Sequence, residues 1–292
     1  MAVDEPNRRF GLGAAYGVGL LLVLSAAARA ADPFEIQVYD GTADAPGEPS
    51  LELHVNDWVT GHRSSGAPPE APLHGQFHLT FEPSLGVMPF WEVGAYLQFA
   101  VRTDDGVTDW AGAKLRSKFV TPPGWDRHWR LGLNLEVSYL PFTYDANRWG
   151  TEVRPIAAWS DARWLFVVNP IIDQALAAPG ASAGPEFDPA VKVARTLGPI
   201  ALGFEYYGDI GPVRAPHAAR DETHYVFEAL DVLSINNVEL NFGVGEGLTP
   251  ASAGIIVKAI VGYTFENAPR AAPSPSRPAG VSRGDMARFW FK

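Results

Sequence analysis

The sequence predicts an all-β protein, an antiparallel transmembrane β-barrel of about 12 strands preceded by a short N-terminal extra strand. Three observations carry that prediction. Segments of strand length alternate apolar and mixed side chains with period two. The connections between them tend to alternate long and short, as in a barrel whose tight turns face one side. Aromatic residues such as Trp58, Trp91, Trp110, Trp129, Trp149, Trp164 and Tyr263 cluster near segment ends, where interfacial girdles need amphipathic rings.

The N-terminal residues come first. Arg8 and Arg9 precede a small, apolar run from Phe10 to Ala28, and Ala28-Arg29-Ala30 has the small-x-small form of a cleavage site. Residues 1–30 are therefore expected to be a signal peptide, the alternative being a single membrane anchor. Residues 31–49 follow as a periplasmic or edge segment, in which Phe34, Ile36 and Val38 alternate with Glu35, Gln37 and Tyr39. From Ser50 the expected strands run 50–59, 75–83, 90–101, 109–120, 129–140 and 150–159, each bounded by turn residues. They continue through 163–171, 186–196, 199–208, 223–232, 236–244 and 254–265. In the last, Ile255, Val257, Ala259, Val261, Tyr263 and Phe265 share one parity, and Lys258 lies opposite. The barrel is thus expected over 50–265, and residues 266–292 read as a disordered, basic, Pro-rich tail.

Composition narrows the classes. The chain of 292 residues has 29 glycines, no cysteine and a formal net charge of -10. Mean hydropathy near zero excludes a helical membrane bundle. Without cysteine there is neither a disulfide framework nor a thiolate metal site, and the acidic balance argues against nucleic acid as a partner.

Several stretches resemble a known group. Phe90-Trp-Glu-Val-Gly-Ala-Tyr-Leu-Gln98, Gly112-Ala-Lys-Leu-Arg-Ser-Lys-Phe-Val120 and Arg148-Trp-Gly-Thr-Glu-Val-Arg-Pro-Ile156 are similar to proteobacterial outer-membrane barrels of the transporter-like phenol-degradation MetA-pathway group. Ala201-Leu-Gly-Phe-Glu-Tyr-Tyr207 and Val238-Glu-Leu-Asn-Phe-Gly-Val-Gly-Glu-Gly-Leu-Thr-Pro250 extend the resemblance. It implies a barrel in the outer membrane of a Gram-negative bacterium, in contact with lipid and lipopolysaccharide, with a loosely defined transport role. Gly262-Tyr-Thr-Phe265 also looks like the aromatic signal read by the outer-membrane assembly machinery, although here a tail follows it.

Parity assigns charged side chains to the lumen, because a charge facing lipid at mid-membrane costs roughly 2–4 kcal/mol. Glu92, Lys114, Arg116, Lys118, Glu136 and Arg154 fall on inward parity, as do Lys192, Glu205, Glu228, Glu239 and Lys258. Folding each hairpin about its turn sets Lys114 opposite Glu136, Glu136 opposite Arg154, Lys192 opposite Glu205 and Glu239 opposite Lys258. Glu205, Glu228 and Glu239 then form an acidic run on neighbouring strands. That run is either satisfied by the flanking lysines and Asn241 or able to bind a cation, a basic or a polyhydroxy solute. His54 and His78 are placed opposite each other as candidate metal ligands, without a third ligand fixed by spacing. No cofactor is expected. The functional expectation is a porin-like, passive channel for a small-molecule solute. The alternatives are a closed structural or surface-interaction barrel and a lipid hydrolase with His224 or His54 as base, for which no serine is paired. An enzyme is not expected.

Overall fold

The structure is a computed structural model describing residues 32–64, 70–102, 106–177 and 180–265. Their alternating patterns form twelve strands: β1 (Pro49–Asp57), β2 (Gln76–Met88), β3 (Trp91–Arg102), β4 (Val107–Val120), β5 (Trp129–Tyr139) and β6 (Trp149–Ser160). The second half comprises β7 (Trp164–Ala175), β8 (Glu186–Leu197), β9 (Ile200–Asp209), β10 (Thr223–Val232), β11 (Val238–Gly247) and β12 (Ile255–Thr264). Each pairs antiparallel with its sequence neighbour, and β1 pairs with β12 from Ser50↔Thr264 to Asp57↔Val257, which closes the ring. Closure leaves no free edge, so every strand's backbone finds partners on both sides.

The outward face is apolar. Leu115, Phe204 and Val244 are 68%, 59% and 54% exposed, an arrangement that water would disfavour and lipid satisfies. Aromatic pairs mark both ends of this belt. Tyr139 packs against Trp110 and Trp149 where the long loops lie, and Trp91 stacks on Phe119 where the chain turns tightly. In the tight turns after β4 and β6, Asp126 and Asp161 each accept two backbone N–H bonds, from His128 and Trp129 and from Arg163 and Trp164. Those donors hold both exposed carboxyls below the usual carboxylate range.

The expected extra strand at Phe34 to Tyr39 takes a different form. Only an isolated bridge, Asp32↔Glu35, is formed there, and the chain runs extended inside the barrel rather than at its edge or in the periplasm. Phe34, Ile36, Val38 and Tyr39 are buried. Their alternation suggested a strand, but an apolar side chain is equally well buried by the barrel's inner wall, and closure leaves no edge to join. The expected signal peptide (1–30) and the expected tail (266–292) lie outside the described residues.

Candidate functional site in the barrel lumen

A chain threaded through a barrel has no strand ladder, yet its buried backbone groups still need partners. The inward side chains supply them. Asn169 of β7 clamps Tyr39 on both sides, its Oδ1 accepting from the Tyr39 N–H at 2.8 Å and its Nδ2 donating to the Tyr39 carbonyl at 2.9 Å. The Pro33 carbonyl meets Asn56 Nδ2 at 3.1 Å and His78 Nδ1 at 2.8 Å. Lys258 Nζ donates to the Ile36 carbonyl at 2.9 Å, and Arg130 Nε to that of Asp40 at 2.9 Å. Near the short-turn end the Asp44 N–H donates to Glu92 Oε2 at 2.6 Å. There the backbone of the segment bonds that of β2 directly, Gly47 N–H to the Gly86 carbonyl at 2.7 Å and Gly86 N–H to the Glu48 carbonyl at 3.1 Å, and a Cβ on Gly86 would stand 2.2 Å from the Ala45 carbonyl oxygen, so only glycine fits.

Charged side chains of the segment complete the β1–β6 wall. Glu35 lies 3.2 Å from Lys114 and 3.6 Å from Arg154, and Lys114 also reaches Asp32 and Glu136. The Tyr39 ring is faced by Arg154 at 4.4 Å, Lys118 at 5.4 Å and Arg116 at 5.9 Å, cations drawn to its negative face. Its hydroxyl bonds Glu35 at 2.7 Å and meets that of Tyr96. Arg116 and Lys118 pair with Glu92 at 2.6 Å and 2.9 Å.

The β7–β12 wall is built differently. Ile36 and Val38 pack into an apolar cluster with Trp58, Tyr207, Phe227 and Ile256. Below it a cavity of about 220 Å³ remains beside Tyr39, reached by Lys192, Glu205, Asp231, Asn241 and Lys258, with Leu233 and Ile235 of the β10–β11 turn at its mouth. Lys192 bridges Glu205 at 3.1 Å and Asp231 at 2.9 Å, and Lys258 pairs with Glu205.

Nine of the eleven expected lumen residues are inward and buried, Glu239 is inward and half-buried at the cavity, and Glu228 is not in the lumen. Glu228 sits opposite Phe204 and Val244 on the outward face, because Tyr225, Phe227, Ala229 and Asp231 turn inward. A one-residue slip reverses every side chain of a strand, and β10 has apolar residues on both parities to permit the misreading. The three-carboxylate run therefore does not exist. Lys192 does stand opposite Glu205 as expected. The other expected partners are offset: Glu136 faces Arg116 and Glu152, Arg154 faces Asn134, and Gly262 and Gly243 face Glu239 and Lys258. Lys114 still reaches Glu136 at 3.1 Å because side chains span a two-residue offset. The histidine pair is also corrected. His54 stands opposite Thr80, and His78 bonds Gln76 and Pro33 and stacks on Phe34.

Sequence reasoning missed Tyr39, Tyr96, Asn169 and Asp231. The first three gave no charge signal, and Asp231 was hidden by the β10 parity. His224, a possible base, has Tyr206 at Nδ1 (2.8 Å) and Glu222 at Nε2 (2.9 Å), and Ser252 bonds its backbone rather than its ring.

No family model matches the chain, and no curated protein matches it in sequence. Among solved structures it is similar to an outer membrane channel from Pseudomonas putida F1, with a TM-score of 0.54 and 10% identity over 79% of this chain and 100% of that one. The likeness is one of fold. Two others resemble it below the level that supports argument. KdgM porin in complex with disordered oligogalacturonate has a TM-score of 0.46 and 10% identity over 74% and 99% of the two chains. Outer membrane phospholipase A from Escherichia coli has a TM-score of 0.40 and 10% identity over 83% and 99%.

Proposed function

We propose that the protein is a passive outer-membrane channel for small solutes, exported to a Gram-negative outer membrane with residues 1–30 removed. The observation that carries this reading is the nature of the lumen's filling. The barrel is occupied by the chain's own N-terminal segment, held mostly by side-chain contacts and by two backbone bonds to Gly86 instead of a full strand ladder, and a cavity of about 220 Å³ opens beside it. Water can replace the polar contacts that hold the segment, while displacement must also free the buried ion pairs of Glu35 and the apolar contacts of Phe34, Ile36 and Val38. The apolar belt and its aromatic ends suit lipid and lipopolysaccharide. The close of β12 at Tyr263 and Thr264, with Phe265 beyond it, fits the aromatic signal read by the assembly machinery and the resemblance to the MetA-pathway group.

A lipid hydrolase has less support, because both ring nitrogens of His224 are engaged and no serine hydroxyl bonds the His54 or His224 ring among the described residues. Planar-bilayer recording tests the channel. Full-length protein should give small conductance steps, and a variant lacking residues 32–48 should give larger ones. Silence from both, with each barrel shown to be folded by its heat-modifiable mobility, would make this a closed structural or surface-interaction barrel.

A further inference from the structure

Glu52 and His54 lie two residues apart on β1 and so share its inward face, and the β1–β2 register sets Glu82 directly opposite Glu52. Carboxylates facing each other across two strands repel. Here they do so in a buried place, with Glu52 3% exposed, Glu82 2% and His54 0%. The His54 ring lies between them. His54 Nε2 stands 3.0 Å from Glu82 Oε2 and 3.6 Å from Glu52 Oε2, and the three donor groups lie within 4.8 Å of one another.

We infer that Glu52, His54 and Glu82 form a zinc(II) site in the lumen wall. Ligands about 2.0–2.1 Å from a tetrahedral zinc stand roughly 3.3–3.4 Å from each other. The two distances from His54 bracket that value, and the two carboxylates lie within 4.8 Å of each other, close enough for one ion to draw the three together. One imidazole with two carboxylates suits zinc, whereas calcium and magnesium prefer oxygen ligands alone. The outer partners are also present. Arg116 Nε bonds Glu82 Oε1 at 2.7 Å, which holds that carboxylate while leaving Oε2 to the ion, and Gln37 Nε2 donates at 3.3 Å to Glu52 Oε2, the oxygen facing His54, where it would share that atom with the ion. Arg116 reaches β2 by lying across β3 at Gly94, where a Cβ would stand 2.8 Å from its Nε. It also shares its charge with Glu92, which tempers its repulsion of a cation.

Access follows from the cavity, whose lining includes both Glu52 and Glu82. The site holds whether or not the lumen conducts, so it goes beyond the channel reading.

The test uses full-length, detergent-solubilised protein, stripped by chelator and titrated with zinc chloride in a calorimeter, with barrel folding checked by heat-modifiable mobility. One zinc per chain is expected. His54→Asn and Glu82→Gln should each weaken binding at least about 100-fold, since the loss of outer partners alone costs 10- to 100-fold. His78→Gln and His224→Gln should leave it unchanged. Unaltered binding in His54→Asn, loss confined to His224→Gln, or no measurable binding by the wild type would each overturn the assignment. Should His54→Asn fail to fold, X-ray absorption of the zinc-loaded wild type decides: a first shell of one imidazole nitrogen and oxygens supports the site, and one without imidazole refutes it.

Discussion

The two walls of the lumen hold the same N-terminal segment by different physics. On the β1–β6 side, Glu35, Tyr39 and Asp44 are tied to Lys114, Arg154 and Glu92 by ion pairs and charge-assisted hydrogen bonds. On the β7–β12 side, Ile36 and Val38 meet an apolar cluster, and below them a cavity remains over Lys192 and Asp231. The first contact rests on a network of ion pairs, the second on apolar packing with two directional holds, Asn169 on Tyr39 and Lys258 on the Ile36 carbonyl. The cavity leaves the segment room to shift on that side, which is what the proposed displacement of the lumen filling requires.

The contrast is broken most severely at Lys114. Lys114→Met should leave Asp32 and Glu136 without their ion pair and Glu35 with Arg154 alone, and the loss of one member of a buried pair costs about 3–5 kcal/mol. Lys192→Met on the cavity side should cost less, because water in the cavity reaches Asp231. Urea unfolding of both variants measures the difference, and equal losses would mean that the two walls are alike.

Gly86→Val should act next. Its side chain has no room beside the Ala45 carbonyl, so the segment must move at a cost of about 1–3 kcal/mol. Single-channel conductance should rise while the barrel keeps its heat-modifiable mobility; unchanged conductance would show that this contact does not hold the segment in place.

Outside the lumen, Glu228→Leu should stabilise the protein in lipid by roughly 1 kcal/mol, since it removes an outward carboxylate lying between Phe204 and Val244. Destabilisation in the same urea series would mean that Glu228 has a partner in the membrane.

The smallest effect belongs to the tight turns. Asp161 has its carboxyl held down by the Arg163 and Trp164 N–H groups. The sign follows from that depression: its stabilisation is present above the ordinary aspartate range and is lost as pH falls through the depressed value. Asp161→Ala should therefore lower stability slightly near neutrality and by less and less as the pH is taken down through the acid range. A deficit that does not shrink there would point to geometry instead of charge.

Much of this was legible without coordinates. Twelve strands, the two kinds of connection and the inward placement of Lys114, Arg116 and Lys118 followed from period-two patterning, because lipid on one face and a polar lumen on the other force side chains to sort by parity. Strand β10 shows where that reasoning fails. Apolar residues stand on both its faces, since Tyr225 and Phe227 pack inward, and its parity then carries no sign of direction. His54 illustrates a second limit, because its partner Glu82 is set by strand register, which hairpin folding gives only to within a residue or two.

The sequence by itself determined the barrel, its strand count and the polarity of its two faces, all of which follow from local alternation. Only the tertiary structure decided what fills the lumen. Phe34 to Tyr39 has the pattern of a strand, and nothing in that pattern distinguishes burial against another strand from burial inside a closed ring. Closure is a property of all twelve strands together. Once β1 meets β12 no edge is left, and the inner wall is the one place where those side chains and their unpaired backbone find partners.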